Sequence, residues 1–265
     1  KRSNKRSMKL VVPLSLTGVR RFFCTKTAIF KYDAKISWFP GHMAKATREM
    51  KERLSTVDII LEIRDARIPF TSQNPLLDEI TGNKARIVIL NKADLADPRF
   101  EKKIIQTLEQ QNKKALFVSA SKSTTMDKII PLALEGRNPN KKIPLNMLVA
   151  GIPNVGKSTI INCLRHAAGK EKTAKVGALP GVTRQINGFK VSDHPPAYLV
   201  DSPGVMVPSL TADQADYGFK FVLTSSIRDS IVPENKVADF LLFTLNKLNY
   251  GKYVEVYGLE KKISD

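Results

Sequence analysis

The sequence predicts an α/β protein built on a doubly wound parallel sheet, and three observations predict it. Five short runs are rich in Val, Ile and Leu: "VDIILEIRD" (57–65), "RIVILNKAD" (86–94), "ALFVSAS" (115–121), "LNMLVAGIPN" (145–154) and "AYLVDSPG" (197–204). Near-continuous apolar runs of this length suit strands buried on both faces of a parallel sheet. Helix-like segments such as "PRFEKKIIQTLEQQ" and "STTMDKIIPLAL" separate many of them, the alternation expected of an α/β fold. Several runs also end in loops carrying Gly, Asn, Asp or Ser, and in such sheets ligands sit beyond the carboxyl ends of the strands.

Ahead of the first run, "GHMAKATREMKERL" (41–54) places Met43, Thr47, Met50 and Leu54 at helical spacing. Lys45, Arg48 and Lys51 lie mostly off that stripe, and Pro40 sits where a helix can begin. "INGFKV" (186–191) is a sixth, more polar strand candidate. "GRNPNKKIP" (136–144) has the composition of a linker. After about residue 208 the pattern becomes helical, with Val237, Phe240, Leu241, Leu245 and Leu248 at helical spacing. "ADYGFKFVLTSSI" reads as a further helix despite Gly218. The expected organisation is a basic N-terminal arm or presequence remnant (1–35), a nucleotide-binding domain (36–207) and a small helical C-terminal domain (208–265).

Composition is ordinary for a globular chain, but the net charge of +18 is not. Residues 1–53 hold 14 Lys/Arg against 3 Asp/Glu, so +11 of that charge lies in the first fifth of the chain. Such skew points to a polyanionic partner, nucleic acid or an anionic membrane surface. Cys24 and Cys163 are too few for a disulfide framework and do not have metal-ligand spacing. No apolar run approaches the roughly 18–20 residues that span a bilayer. The first 32 residues lack any acidic side chain and are rich in Lys, Arg, Ser and Thr, the composition of a mitochondrial transit peptide. A secretory signal fits less well, because Pro13 and Gly18 interrupt the apolar segment and Arg20–Arg21 stand where small residues belong. With Lys1 first, residues 1–32 read either as such a presequence or as a mature basic arm.

Gly151-x4-Gly156-Lys157-Ser158 matches the phosphate-binding loop and follows an apolar run, as it must. In "NVGKST" (Asn154, Val155, Gly156, Lys157, Ser158, Thr159), backbone N–H groups can cradle phosphate oxygens. Lys157 adds charge and Ser158 a hydroxyl for Mg²⁺. Asn91-Lys92-x-Asp94 ends another run. A carboxylate at Asp94 can accept from both guanine N1–H and the exocyclic amine, a pair adenine does not offer. Asn91 can bond the base edge or tie loops together, the Lys92 stem can cover the base, and the backbone N–H groups of "SAS" (119–121), Ser119 and Ala120 among them, can meet guanine O6. Asp201-x-x-Gly204 follows the fifth run, with Asp201 suited to water-mediated Mg²⁺ and the Gly204 N–H to a γ-phosphate. Thr183 lies between the phosphate loop and Asp201, where a switch loop closes over Mg²⁺. The pieces occur in rotated order, base before phosphate. A circular permutation would move the chain ends while keeping the strands.

"WFPGHMAKA", "DARIP", "NKADL", "GIPNVGKST", "PGVTR" and "DSPGV" together resemble the circularly permuted GTPases of ribosome assembly, the bacterial ribosome-biogenesis GTPase A family, and above all its mitochondrial branch. The resemblance runs from about Trp38 to the "FLLFTLNK" segment. It implies a P-loop GTPase acting on the mitochondrial large ribosomal subunit and binding rRNA. GTP, Mg²⁺ and K⁺ are the implied cofactors, and other assembly factors and the inner-membrane surface are further partners. Val205 stands where many GTPases carry a water-orienting glutamine, so hydrolysis is expected to be slow alone and stimulated by the subunit. Asn154 matches the asparagine of potassium-dependent relatives, and His42 matches a histidine proposed to be catalytic. Packing, or contact with rRNA, stays open for His42, and loop geometry stays open for Asn154. Arg184 is a charge-clamp candidate; with Lys45, Arg48 and Lys51 it is also an RNA-binding candidate. The alternative reading is a GTP-gated rRNA clamp in which hydrolysis is incidental.

Overall fold

The computed structural model describes residues 30, 32, 36–37, 43–82, 84–121, 123–135, 144–169, 177–178, 187–202, 209–210 and 214–260. Tyr32–Val237 form one compact unit; Phe30 and the described residues from Ala238 onward belong to a second.

In the larger unit the apolar runs become strands. They are β1 (Ile36–Ser37), β2 (Ile59–Asp65), β3 (Ala85–Asn91), β4 (Lys114–Phe117), β5 (Leu145–Ala150), β6 (Gly177–Ala178), β7 (Asn187–Asp193), β8 (Pro196–Asp201) and β9 (Ser209–Leu210). The main sheet runs in the order β4-β3-β2-β5-β8-β7-β6. The first five of these are mutually parallel. β7 joins antiparallel to β8, and β6 antiparallel to β7. The expected parallel sheet is therefore a parallel core with an antiparallel edge. The more polar "INGFKV" run supplies that edge, where alternation rather than continuous apolarity is the rule. β1 and β9 form a separate antiparallel pair.

Helices α1 (Met43–Leu54), α2 (Pro75–Thr81), α3 (Glu101–Glu109), α4 (Ile129–Leu134), α5 (Lys157–Ala167) and α6 (Ala215–Leu223) fill the connections. α2 starts cleanly because the Asn74 side chain accepts the Leu76 N–H and Pro75 takes the first helical position. Lys84 closes the other end of α1, its Nζ donating 2.6 Å bonds to the carbonyls of Leu54 and Val57. Met50 and Leu54 of the expected stripe are buried against Ile60, Leu77, Leu148 and Val200. Met43 and Thr47 lie in the same helix, but their side chains fall outside the described residues. A second cluster packs α3 (Ile104, Leu108) on Val88, Leu90 and Phe117.

The same sheet face carries buried charge. Glu62 and Arg64 of β2 are fully buried and paired at 2.8 Å, and Glu62 also takes Arg86 of β3 at 3.1 Å. Burial raises the Glu62 pKa, but the two guanidinium groups outweigh it and hold the carboxyl below its ordinary value.

The strand order places the ligand crevice. The chain leaves β2 toward β3 on one side, whereas from β5 it continues toward β8 on the other. β2 and β5 are neighbours, so their carboxyl ends flank the point where the winding reverses.

In the second unit, α7 (Glu234–Lys247) continues past Val237 and α8 (Lys252–Val256) follows. Phe30 meets the ring of Phe240 edge-on with centroids 5.3 Å apart, and the Tyr253 hydroxyl donates to Asn246. Among the described residues no helix is long and apolar enough to cross a membrane.

Candidate functional site

Because the five core strands are parallel, the loops after β2, β3, β4, β5 and β8 emerge at one edge. The rotated order of the motifs is therefore no obstacle to a common site. Residues 151–158 leave β5 and turn into α5. Gly151 is held so close to β2 that an added Cβ would overlap the Ile63 carbonyl. Asn154 is left-handed at φ 59°, and Gly156 precedes α5 at φ 95°. A cavity of about 590 Å³ opens over the loop, lined by Pro153, Asn154, Gly156, Lys157, Ser158, Thr159, Asp201 and Ser202. Backbone N–H groups at the start of an eleven-residue helix, with a lysine beside them, suit the oxygens of a polyphosphate. Val155 is buried beneath.

The loop after β3 is bonded to this one. The Asn91 side chain donates to the Val155 carbonyl at 2.8 Å and accepts from the Ala120 N–H at 3.2 Å. One buried amide thus joins three loops. Lys92, left-handed at φ 62°, donates its Nζ to the Asn154 carbonyl at 2.8 Å, which lays its stem along the site. Asp94 is exposed at the rim, where the Ser119 hydroxyl donates to Oδ1 at 2.6 Å and Ser121 reaches Oδ2 at 3.5 Å. A carboxylate oriented by hydroxyl donors at an exposed rim is what a two-donor base edge requires. Cys163 of α5 is half-buried, its thiol donating to the Ala120 carbonyl.

Asp201 ends β8 on the opposite wall. Its Oδ1 is buried and has no hydrogen-bond partner among the described residues. Burial raises its pKa, and the Ser202 N–H, Lys157 and Arg53 only partly oppose the rise. Asp201 and Ser158 line the same cavity, and a carboxylate beside a hydroxyl fits a hard divalent cation such as Mg²⁺. Arg53 of α1 fixes this wall by donating to the Asp201 carbonyl.

Burial drives the Lys157 ammonium down to about 8, against a weaker opposing pull from Asp201. Its Nζ rests on the Ile152 carbonyl at 2.9 Å. With the folded value below the ordinary 10.5, the unfolded chain holds more protons between those two limits. The lysine's contribution to stability therefore rises as pH goes from about 8 toward 10.5. Affinity for a nucleotide polyphosphate falls over the same interval, because a neutral amine must first be reprotonated. Titrations of GDP affinity and melting temperature between pH 7 and 10 on wild type and Lys157→Met are expected to show the affinity trend only in wild type and a larger rise in melting temperature there.

The sequence-predicted residues Asn91, Lys92, Asp94, Ser119, Ala120, Asn154, Val155, Gly156, Lys157, Ser158, Thr159 and Asp201 converge in this crevice. His42, Thr183, Arg184, Gly204 and Val205 lie outside the described residues. Lys45 is in α1 with its side chain outside them, and Arg48 and Lys51 are exposed on that helix. Sequence reasoning gave no role to Asp65, Arg67, Thr224 or Ser225, which hydrogen bonds tie to the site. The "DARIP" stretch was the one available signal for the first two.

The family model described as 50S ribosome-binding GTPase matches residues 146–263. The chain is 39% identical over 239 residues to mitochondrial ribosome-associated GTPase 1 of Xenopus tropicalis, covering 86% of this chain and 76% of that one. It is likewise 39% identical over 217 residues to ribosome biogenesis GTPase A of Priestia megaterium, covering 78% and 73%. Among solved structures, GNP-bound YlqF from T. maritima shares the fold with a TM-score of 0.57 at 23% identity, over 82% of this chain and 85% of that one. The rotated nucleotide-site motifs, their convergence at one sheet edge and these identities make the chain a member of the GTPase family that contains mitochondrial ribosome-associated GTPase 1 and bacterial ribosome biogenesis GTPase A.

Proposed function

We propose that this GTPase is a mitochondrial assembly factor for the large ribosomal subunit, binding rRNA in a GTP-dependent way and hydrolysing GTP slowly until the subunit stimulates it. The observation that carries the reading is the joining of an Asn-Lys-x-Asp loop to a phosphate loop through Asn91 and Lys92, in a chain 39% identical to ribosome-associated mitochondrial relatives. The basic start, +11 over residues 1–53, suits phosphate neutralisation on rRNA and also an anionic inner-membrane surface in the matrix. Arg48 and Lys51, exposed on α1, with Lys45 and Arg184, are the RNA contacts in this reading.

In this reading each residue has a distinct role. Asp94 reads guanine, with Ser119 and Ala120 beside it. Asn91 holds the loops in register. The phosphate loop and Lys157 would hold the β and γ phosphates, and Ser158, Asp201 and Thr183 would hold Mg²⁺, which would supply charge neutralisation at the phosphate oxygens. The Gly204 N–H meets the γ-phosphate. The Asn154 side-chain amide donates to the Ser225 carbonyl at 2.7 Å, and its oxygen takes no partner among the described residues. That oxygen is the acceptor left for K⁺. With valine in the glutamine position, His42 orders the attacking water once the subunit has placed it.

Turnover measured with and without purified large subunits, in K⁺ and in Na⁺, tests the reading. Stimulation by the subunit, larger in K⁺, is expected, with His42→Ala lowering the stimulated rate and sparing the basal one. Subunit binding with no stimulation in either salt would leave the alternative, a GTP-gated rRNA clamp.

A further inference from the structure

Asp65 closes β2 with no exposed side-chain surface. Its Oδ1 accepts the Arg67 Nε at 2.9 Å and the Arg67 N–H at 3.0 Å, and its Oδ2 accepts the Arg67 Nη2 at 2.7 Å. The same Oδ2 takes the Lys92 ammonium at 3.0 Å. Lys92 also donates to the Asn154 carbonyl, and the Asn154 amide donates to Ser225 O at 2.7 Å. The neighbouring carbonyl, Thr224 O, accepts the Arg67 Nη2 at 3.2 Å. These contacts close a ring through Asp65, Lys92, Asn154, the Thr224–Ser225 peptide and Arg67. It links the end of β2, the base loop, the phosphate loop and the end of α6.

The α6 end is built as a rigid partner. Ser225 is left-handed at φ 56°, and the Ser226 and Ser225 N–H groups return to Phe221 O at 2.7 Å and Val222 O at 2.8 Å, the pattern of a Schellman turn. Thr224 and Ser226 are buried and their hydroxyls lie 3.0 Å apart. Phe219, Phe221 and Val222 bury the preceding turn. The last carbonyls of a helix carry partial negative charge, which complements the Arg67 guanidinium.

We propose that Arg67 is a positioning residue of the nucleotide site, coupling it through this ring to the C-terminal turn of α6. Ser225 O occupies the Asn154 amide nitrogen and so decides which atom of Asn154 faces the phosphates. Asp65 holds Lys92 against the phosphate loop, and Arg67 locks Asp65 to the same helix end. A change in the phosphate or base loop on nucleotide binding is therefore felt at Thr224–Ser225, and by linkage a pull on α6 is felt by the nucleotide. This coupling depends on the guanine-nucleotide site and not on the identity of the ribosomal partner.

The test is amide hydrogen exchange over residues 219–227, with and without GDP, together with the dissociation rate of a fluorescent GDP, on wild type, Arg67→Met and Asn154→Ala. In wild type, GDP is expected to slow exchange at Ser225 and Ser226. In Arg67→Met, GDP dissociation is expected to quicken roughly tenfold, the lower range of site-to-site coupling, and the exchange response at Ser225 and Ser226 to disappear at temperatures where the variant is folded. Asn154→Ala opens the ring on its other side and is expected to lose the same exchange response at saturating GDP. An intact response in either variant, or no response in wild type, overturns the proposal. If Arg67→Met does not fold, Asn154→Ala decides alone by the same reading.

Discussion

Asp94→Asn is expected to lower GTP affinity roughly 10³-fold, the loss of two hydrogen bonds to a charged acceptor at about 2 kcal/mol each, and to create affinity for xanthosine triphosphate. The direction follows from the hydroxyls behind the carboxylate. Ser119 donates to Oδ1 at 2.6 Å, whereas Ser121 only grazes Oδ2 at 3.5 Å. An asparagine here keeps its carbonyl oxygen on Ser119 and turns its NH₂ outward, toward the base. Guanine then meets a donor with its own N1–H and amine, while xanthine offers its C2 carbonyl. Asp94 is exposed, so the substitution removes no packing and the melting temperature is expected to hold. Competition binding against the two triphosphates reads the result; unchanged GTP affinity would move the base site away from this loop.

The parts of this site written as short contiguous motifs were legible in the sequence. Gly151, Gly156, Lys157 and Ser158 form one turn between a strand and a helix, and Asn91, Lys92 and Asp94 form another. In each case the spacing alone places side chains on one loop. The sheet was legible for the same reason, since β2, β3 and β5 are apolar enough to be buried whatever surrounds them. What could not be read depends on partners far along the chain. Glu62 and Arg64 sit in a run that reads as an apolar strand, and their burial makes sense only beside Arg86, which arrives 24 residues later. Asp65 and Arg67 pair locally, but their tie to Thr224 spans 157 residues, and Asn154 reaches Ser225 across 71. No local period marks a helix end as a hydrogen-bond partner for a phosphate loop. The antiparallel edge was half legible: the polarity of "INGFKV" marked it as different, and its direction came only from pairing with β8.

Gly156→Ala is expected to cost 10²–10³ in nucleotide affinity, whereas Gly169→Ala, at the other end of the same helix, is expected to cost none. Both glycines are left-handed, at φ 95° and φ 67°. Around Gly169 an added Cβ meets nothing within 4 Å, so the substitution carries only the conformational penalty of alanine, about 1 kcal/mol of stability. At Gly156 the added Cβ would overlap the Asn91 Nδ2. Asn91 is buried, and that nitrogen holds Val155 O while its oxygen holds the Ala120 N–H. To admit a methyl group the amide must swing away and leave those groups unpaired, at about 1–3 kcal/mol each, on top of about 1–3 kcal/mol of backbone strain. The base loop, the Ser119–Ala120 loop and the phosphate loop then lose the residue that keeps them in register. The loss should appear as faster nucleotide dissociation, because the bonds that break are those holding an assembled site together. Dissociation rates of a fluorescent guanine nucleotide and melting temperatures for the two variants separate the effects. Equal dissociation rates would mean that Asn91 does not organise the site.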